Sequence, residues 1–160
     1  MEPPRESPEY VRLSQAAAMP LGFKGGRFWR GAKLHCLNLL QTYGDGCKGA
    51  CAYCGLSRER TGDRSFIRVE WPTYSVTEVL DRLKVCRDAK RVCLAMVTHR
   101  NAAEHLLQIA RRIGPETGIP LSGLITPTLV TREHLPALRD AGLDKLGIAL
   151  DTATPELFRE

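Results

Sequence analysis

The sequence contains no long hydrophobic run and no export signal. No stretch approaches the ~18 consecutive apolar residues that a membrane-spanning helix requires. The amino terminus, MEPPRESPEY, is polar and acidic, whereas a signal peptide begins with basic residues followed by an apolar segment. These absences predict a cytoplasmic protein that makes no contact with a membrane.

Extremes of composition are absent too. Of 160 residues, 43% are hydrophobic, 26% are charged and 6% are aromatic, which is ordinary for a globular domain and excludes a disordered tail, collagen and a coiled coil. The net charge is only +5. Its densest basic patch, Lys24, Arg27, Arg30 and Lys33, lies outside any nucleic-acid-binding motif. We therefore expect no nucleic-acid partner.

The six cysteines lack the spread of a disulfide framework. Cys47, Cys51 and Cys54 fall within eight residues. In a reducing compartment, thiols grouped in this way indicate a metal site rather than bridges. The remaining cysteines are isolated among apolar neighbours and are expected to be small core residues; they are Cys36, Cys86 and Cys93.

Short apolar segments alternate with amphipathic helical patterns along the chain. The apolar segments predict strands at 34–40, 91–97, 121–125 and 145–150. Cap and stop residues bound three predicted helices: Ser75 with Glu78 starts the first, Asn101 starts the second, which Gly114-Pro115 ends, and Thr131 starts the third, which Gly142 ends. A short helix is predicted within 10–18, and an added edge strand at 66–71.

Continuous apolar strands that alternate with helices predict an α/β fold with a parallel sheet and right-handed crossovers. A doubly wound sheet and a (β/α) barrel share this pattern. A complete eight-fold barrel takes ~250 residues, and only four units are present. We expect a partial (β/α) TIM-type barrel, with residues 34–160 forming the first half of the barrel of a longer protein and residues 1–33 a lead-in segment.

The loop after the first predicted strand, QTYGDGCKGACAYCGLSRER, spaces its cysteines as C-x3-C-x2-C. Thiolates in one loop can ligate three irons of a [4Fe-4S] cluster, whereas ferredoxin loops offer C-x2-C-x2-C spacing and a fourth cysteine. An open position on a metal indicates catalysis rather than a structural role. The loop would also lie at the face where barrel active sites form.

Two alternatives to a cluster remain at this point. Zinc could be bound by the same three cysteines with His35 or Cys36 as the fourth ligand, although structural zinc ligands usually come as two spaced pairs. The grouping of cysteines could also be a coincidence without function.

The segment CKGACAYC resembles the signature of the radical S-adenosylmethionine (SAM) superfamily, which has an aromatic residue before its third cysteine, here Tyr53. The resemblance implies that Cys47, Cys51 and Cys54 ligate a [4Fe-4S] cluster whose open iron binds SAM. It implies reductive cleavage of SAM to a 5′-deoxyadenosyl radical. It also implies that the backbone near Tyr53 approaches the adenine and that Thr98 meets the methionine amino group.

A second segment, AGLDKLGIALDTATPELF at 141–158, resembles the branch of biotin synthase and lipoyl synthase. This resemblance implies that the Asp151 carboxylate accepts hydrogen bonds from the SAM ribose; the alternative is that Asp151 only caps the next helix. Cys93 matches the first auxiliary-cluster cysteine of biotin synthases. The matching position on the third strand is about Leu124, which breaks that ligand set.

The stretch 19–158 is most similar to one subunit of the two-subunit lipoyl synthases. The similarity implies a sulfurtransferase that inserts sulfur into an octanoyl chain on an acyl-carrying protein domain. It implies as partners a second radical SAM subunit and a flavodoxin or ferredoxin as electron donor. The alternatives are another biotin-synthase-like reaction (cofactor biosynthesis, mutase or methylation) and a non-catalytic iron–sulfur or zinc module.

Overall fold

The computed structural model describes residues 4–61, 69–150 and 153–156. Its strands are β1 (Tyr10–Leu13), β2 (Cys36–Gln41), β3 (Thr73–Ser75), β4 (Arg91–Ala95), β5 (Leu121–Leu124) and β6 (Leu143–Gly147). Its helices are α1 (Gln15–Ala18), α2 (Val76–Val85), α3 (Ala102–Thr117) and α4 (His134–Asp140), with a short 3-10 turn at Trp29–Gly31. None of these helices is long and apolar enough to cross a membrane.

All six strands form one sheet in the order β3-β1-β2-β4-β5-β6. The strands β2, β4, β5 and β6 are parallel, with Leu39 opposite Leu94 and Leu94 opposite Gly123. Parallel neighbours require crossover connections, and the helices supply them. The predicted α/β fold with parallel strands and flanking helices is confirmed, and the architecture is consistent with a partial barrel.

The amino-terminal segment differs from its predicted helix. Only Gln15–Ala18 is helical, and Tyr10–Leu13 is a strand that pairs antiparallel with both β2 and β3. Within β1, Val11 and Leu13 are buried and alternate with half-buried residues, which is the period of a strand. Cross-strand pairing thus overrides local propensity here. The division of the chain at residue 33 stays a prediction.

The predicted edge strand at 66–71 falls partly on residues 66–68, which lie outside the described residues. The edge strand that the structure contains is β3, which follows Pro72. This strand pairs with β1 through backbone hydrogen bonds. The Leu13 N–H also donates to the Pro72 carbonyl at 3.0 Å.

The start of α2 is confirmed in atomic detail. The Ser75 hydroxyl accepts the Glu78 N–H at 3.1 Å, and the Glu78 carboxylate accepts the Ser75 N–H at 3.2 Å. This reciprocal pair satisfies two backbone donors that a helix start leaves without partners. The hydrogen bonds from Ser75 lower the pKa of Glu78, as expected for a carboxylate that accepts them.

Two predicted helix boundaries are wrong. Helix α3 continues past Gly114-Pro115 to Thr117, where the Thr117 hydroxyl donates to the Ile113 carbonyl at 2.8 Å. The helix ends at Gly118, whose φ of 63° is favourable only for glycine. Helix α4 begins at His134 rather than directly after Thr131, and no side-chain hydrogen bond caps its start.

The two faces of the sheet differ in character. Leu37, Leu39, Val92 and Leu94 point towards α2 and α3 and belong to the main hydrophobic core. Because successive strand residues alternate in direction, the opposite face carries a second set of residues, half-buried or exposed: Cys36, Asn38, Cys93 and Ser122. Of the isolated cysteines, Cys86 packs against the main core, whereas Cys36 and Cys93 lie on this second face.

The fourth predicted strand, 145–150, is observed as β6, which begins two residues earlier and ends three residues earlier, and Ile148 and Leu150 after it are exposed. On α4, Leu138 and Ala141 are buried as predicted, while Leu135 is 40% exposed.

Truncation of a buried leucine should lower the free energy of unfolding more than truncation of an exposed leucine. Leu83, on α2, is 2% exposed, so Leu83→Ala should lower the free energy of unfolding by about 2–5 kcal/mol. Leu135→Ala is the matched control and should change it by about 0.5 kcal/mol or less. Urea unfolding followed by circular dichroism measures both, and equal effects would contradict the packing described.

Candidate metal centre at the carboxyl edge of the sheet

The loop after β2 meets the segment after β4 at one edge of the sheet. The Lys48 N–H donates to the Thr98 carbonyl at 2.7 Å. The Thr98 N–H donates to Cys47 Sγ at 3.3 Å, across 51 residues of sequence. Because β2 and β4 are parallel neighbours, their carboxyl ends bring these segments together. The structure thus places Thr98 against the first cysteine; its contact with SAM stays a prediction.

The three cysteines of the loop have different surroundings. Cys47 is half-buried, and its Sγ also accepts the Gly49 N–H at 3.4 Å. Cys54 is half-buried and accepts the Leu56 N–H at 3.4 Å. Cys51 is exposed. Backbone amides therefore hold two of the three sulfur atoms in place, which suits the loop to bind a metal through sulfur.

A small cradle lies beside Gly49. A methyl group built on its Cα would lie 3.4 Å from Cys47 Sγ, 3.4 Å from Thr98 Oγ1 and 3.8 Å from Cys51 Sγ. The backbone of this turn is fixed by the Arg58 N–H, which donates to the Gly49 carbonyl at 2.9 Å. Because residue 49 is glycine, the space next to the Cys47 and Cys51 sulfur atoms stays open.

These residues fit an iron–sulfur cluster. Soft thiolate donors select such clusters, and amide hydrogen bonds to sulfur are a regular feature of their sites. Among the described residues, no three His, Cys, Asp or Glu side chains are grouped as a single metal ion would need. A cubane cluster binds each thiolate through a different iron, so its ligands stand farther apart than those of one ion.

The zinc ligand set considered from the sequence does not assemble. Cys36 is the first residue of β2, and His35 precedes it with its Nδ1 2.9 Å from the Asp88 carbonyl. The cysteine loop leaves the other end of this strand, about 16 Å away at the usual rise per residue. Neither residue can therefore complete a tetrahedral site with the loop cysteines.

A buried aromatic pair supports the loop, and sequence analysis did not find it. The rings of Tyr43 and His99 are stacked, with 3.7 Å between their centroids and 14° between their planes. The Tyr43 hydroxyl lies 3.1 Å from His105 Nδ1, and His99 Nε2 lies 3.3 Å from Asp45 Oδ1. These contacts join residues more than fifty positions apart, so no local pattern in the sequence could reveal them.

Burial and nearby charges shift the pKa values of Tyr43 and of the residues around the stacked pair. Burial, followed by the charges of Glu6 and Asp45, raises the pKa of Tyr43. A hydrogen bond from Lys48 lowers the pKa of Asp45, and burial lowers the pKa of His105. At neutral pH, Tyr43 is thus a protonated hydroxyl, Asp45 a carboxylate and His105 a neutral ring.

The other residues predicted for the site are less closely grouped. Tyr53 is 68% exposed on the loop, and Asp151 lies outside the described residues. In the sheet register, Cys93 pairs with Ser122 on β5 and Leu124 pairs with Ala95. The residue beside Cys93 is still not a cysteine.

Comparison with known proteins identifies the family. The family model of the Radical SAM superfamily matches residues 42–160. This range includes the cysteine loop and three of the four parallel strands, β4, β5 and β6. The chain belongs to the radical SAM superfamily. Membership implies, in general terms, a [4Fe-4S] cluster and SAM, in agreement with the fit of the loop.

This chain spans less than half of the length of each of two relatives that it matches. The GTP 3',8-cyclase of Limosilactobacillus fermentum (strain NBRC 3956 / LMG 18251) is 40% identical over 55 residues, which are 34% of this chain and 17% of the cyclase. The crystal structure of methylornithine synthase (PylB) superposes with a TM-score of 0.57 and 17% identity over 90% of this chain and 40% of that one. The latter likeness shows the fold alone, and neither relative supports the lipoyl synthase branch.

A methyl group at Gly49 should obstruct the metal centre without unfolding the protein. Gly49→Ala would place a Cβ between two thiols and Thr98, so iron bound after anaerobic reconstitution should fall well below the wild-type level. The folded protein without iron should keep its stability to within about 1 kcal/mol. Gly25→Ala is the matched control, since nothing lies within 4 Å of a Cβ there. Equal iron uptake by both variants would contradict the cradle.

Proposed function

We propose that this chain carries the cluster- and SAM-binding region of a radical SAM enzyme. The observation that carries the proposal is the meeting of Cys47, Gly49 and Thr98 at the carboxyl edge of a parallel sheet. When bound and reduced, a [4Fe-4S] cluster supplies the electron that cleaves SAM to methionine and a 5′-deoxyadenosyl radical, which abstracts a hydrogen atom from the substrate.

In this proposal each cysteine thiolate binds one iron. The Thr98 and Gly49 amides stabilise the negative charge on Cys47 Sγ, and the Leu56 amide does so on Cys54 Sγ. Such hydrogen bonds are among the factors that set the reduction potential of a cluster. A small apolar cluster lies under the loop and limits the access of water from the sheet side; Cys47 and Cys54 pack against it, and its buried members are Leu40, Tyr43, Leu56, Ala95 and Val97.

Three further residues are proposed to bind SAM. Thr98 ends the segment after β4 beside Cys47 and would meet the methionine group. Tyr53, exposed next to Cys54, would present its backbone to the adenine. Asp151 would accept the ribose hydroxyls, since a carboxylate can accept two such hydrogen bonds. These roles rest on the family resemblance of the motifs.

Substitution of single cysteines tests the centre. Cys47→Ala, Cys51→Ala and Cys54→Ala should each abolish the visible absorbance of the reconstituted cluster and the reductive cleavage of SAM, because each removes one iron's thiolate. Cys36→Ala, Cys86→Ala and Cys93→Ala are matched controls and should keep both properties. Iron and sulfide analysis with chromatography of 5′-deoxyadenosine measures them, and full SAM cleavage by any loop variant would refute the assignment.

The finer proposal is sulfur insertion into a protein-bound octanoyl chain, together with a second radical SAM subunit and a flavodoxin or ferredoxin. It rests on the resemblance of the 19–158 stretch to two-subunit lipoyl synthases. Cys93 and Ser122 are neighbours on β4 and β5, and a serine does not supply the thiolate that a biotin-synthase-type auxiliary cluster would need there. A sacrificial cluster would accordingly need ligands from elsewhere in the protein or from a partner.

The second candidate is a different radical SAM reaction. It is favoured by the 40% identity over 55 residues to an enzyme named for a cyclisation of GTP. Because that likeness covers 17% of the cyclase, it supports the shared radical chemistry more than the substrate. A non-catalytic iron–sulfur module is the third alternative, and the absence of SAM cleavage by a fully loaded protein would favour it.

A reaction with an octanoylated carrier peptide separates the two enzyme candidates. The full-length protein with its partner subunit, SAM and a reductant should yield a thiolated peptide by mass spectrometry, and the Cys51→Ala variant should yield none. Formation of 5′-deoxyadenosine without sulfur in the peptide, under every partner combination, would refute the lipoyl assignment and leave the superfamily chemistry intact.

A further inference from the structure

The turn that precedes the first cysteine is contacted at two residues by one histidine. The turn runs from Tyr43 to Gly46, closed by the Gly46 N–H, which donates to the Tyr43 carbonyl at 3.1 Å. His99, after β4, stacks on the Tyr43 ring and reaches the Asp45 carboxylate. Cys47 follows this turn directly.

The hydrogen bonds of His99 assign its tautomer. The Asn101 N–H donates to His99 Nδ1 at 3.2 Å, so this nitrogen carries a lone pair rather than a proton. The ring proton is then on Nε2, which lies 3.3 Å from Asp45 Oδ1. The backbone after β4 thus orients the imidazole so that Nε2 faces the Asp45 carboxylate.

Lys48 continues the same network on the far side of Cys47. Its ammonium group lies 2.7 Å from Asp45 Oδ2, and its backbone N–H donates to the Thr98 carbonyl at 2.7 Å. Asp45 therefore joins His99 to Lys48, and Cys47 lies between two residues that are tied to the segment after β4. His99 is 7% exposed, whereas Asp45 and Lys48 are exposed.

We propose that His99 is a positioning residue for the metal centre: its stacking on Tyr43 and its polar contact with the Asp45 carboxylate hold the turn so that Cys47 Sγ stays under the Thr98 amide. This inference rests on the proposed function for its purpose, but the contacts that carry it belong to the chain alone. His99 touches neither iron nor substrate in this role and acts through Asp45.

Loss of the contact between His99 and Asp45 should loosen the turn locally. His99→Phe keeps a ring to stack on Tyr43 and removes the nitrogen that faces Asp45. Hydrogen–deuterium exchange at the Lys48 and Thr98 amides should become about three- to tenfold faster in the full-length protein, as expected for the loss of one ordinary polar contact. Exchange at core amides such as that of Ile109 should not change.

Three further variants complete the test. Asp45→Ala removes the same contact at an exposed position, together with the ion pair to Lys48, so it should accelerate the same two amides even if His99→Phe folds poorly. His99→Gln restores a side-chain N–H donor and should recover part of the protection. His35→Phe is the matched control, since His35 lies at the opposite end of β2, and it should behave as wild type.

The reconstituted proteins add a second readout. Cluster-loaded His99→Phe should differ from wild type in its midpoint potential, because the amide hydrogen bond to Cys47 is no longer held in place, and His35→Phe should match wild type. Unchanged exchange at Lys48 and Thr98 in both His99→Phe and Asp45→Ala would overturn the inference. Failure of wild type to bind iron would instead refute the proposed function, and the exchange comparison would still decide the role of His99.

Discussion

The parallel pairing of β2 with β4 is the constraint on which the metal centre depends. The register sets Leu39 opposite Leu94 and Leu40 opposite Ala95, so the two chains leave the sheet side by side. Every contact between the cysteine loop and the Thr98–His99 segment follows from this pairing. A slip of one residue would turn the core-facing side chains to the opposite face, which makes the register, and hence the site, costly to disturb.

The two antiparallel strands protect the side of the sheet where this pairing is made. Without β1, the strand that leads into the cysteine loop would be an edge strand with unpaired backbone groups. Instead, Val11 lies opposite Gln41, and the Arg12 Nε–H donates to the Thr42 hydroxyl at 3.1 Å, immediately before the loop. The Gln41 side chain in turn donates to the Ala102 carbonyl at the start of α3 at 2.7 Å. The base of the loop is therefore held from both neighbouring strands and from a helix.

The features that the sequence predicted are those with local causes. The Ser75–Glu78 capping box lies within four residues, and the cysteine spacing is a motif of eight, so both could be read directly. Tyr10–Leu13 was predicted as helix because its strand partners are distant in sequence. Thr131 was predicted as a cap because its type fits, whereas its hydroxyl contacts the His134 ring at 2.9 Å and the helix begins three residues later. The Tyr43–His99 stack could not be predicted, since it requires the register of two parallel strands.

The unequal surroundings of the three cysteines have a physical logic in the proposed function. Cys47 receives two amide hydrogen bonds and Cys54 one, and both adjoin the apolar cluster below the loop. Cys51 and Tyr53 lie on the exposed side. A centre that must admit a second molecule to one iron needs rigid ligands on the sheet side and an approach from solvent on the other. Rigidity comes from bonds between two strand ends, which a loop of glycines could not provide by itself.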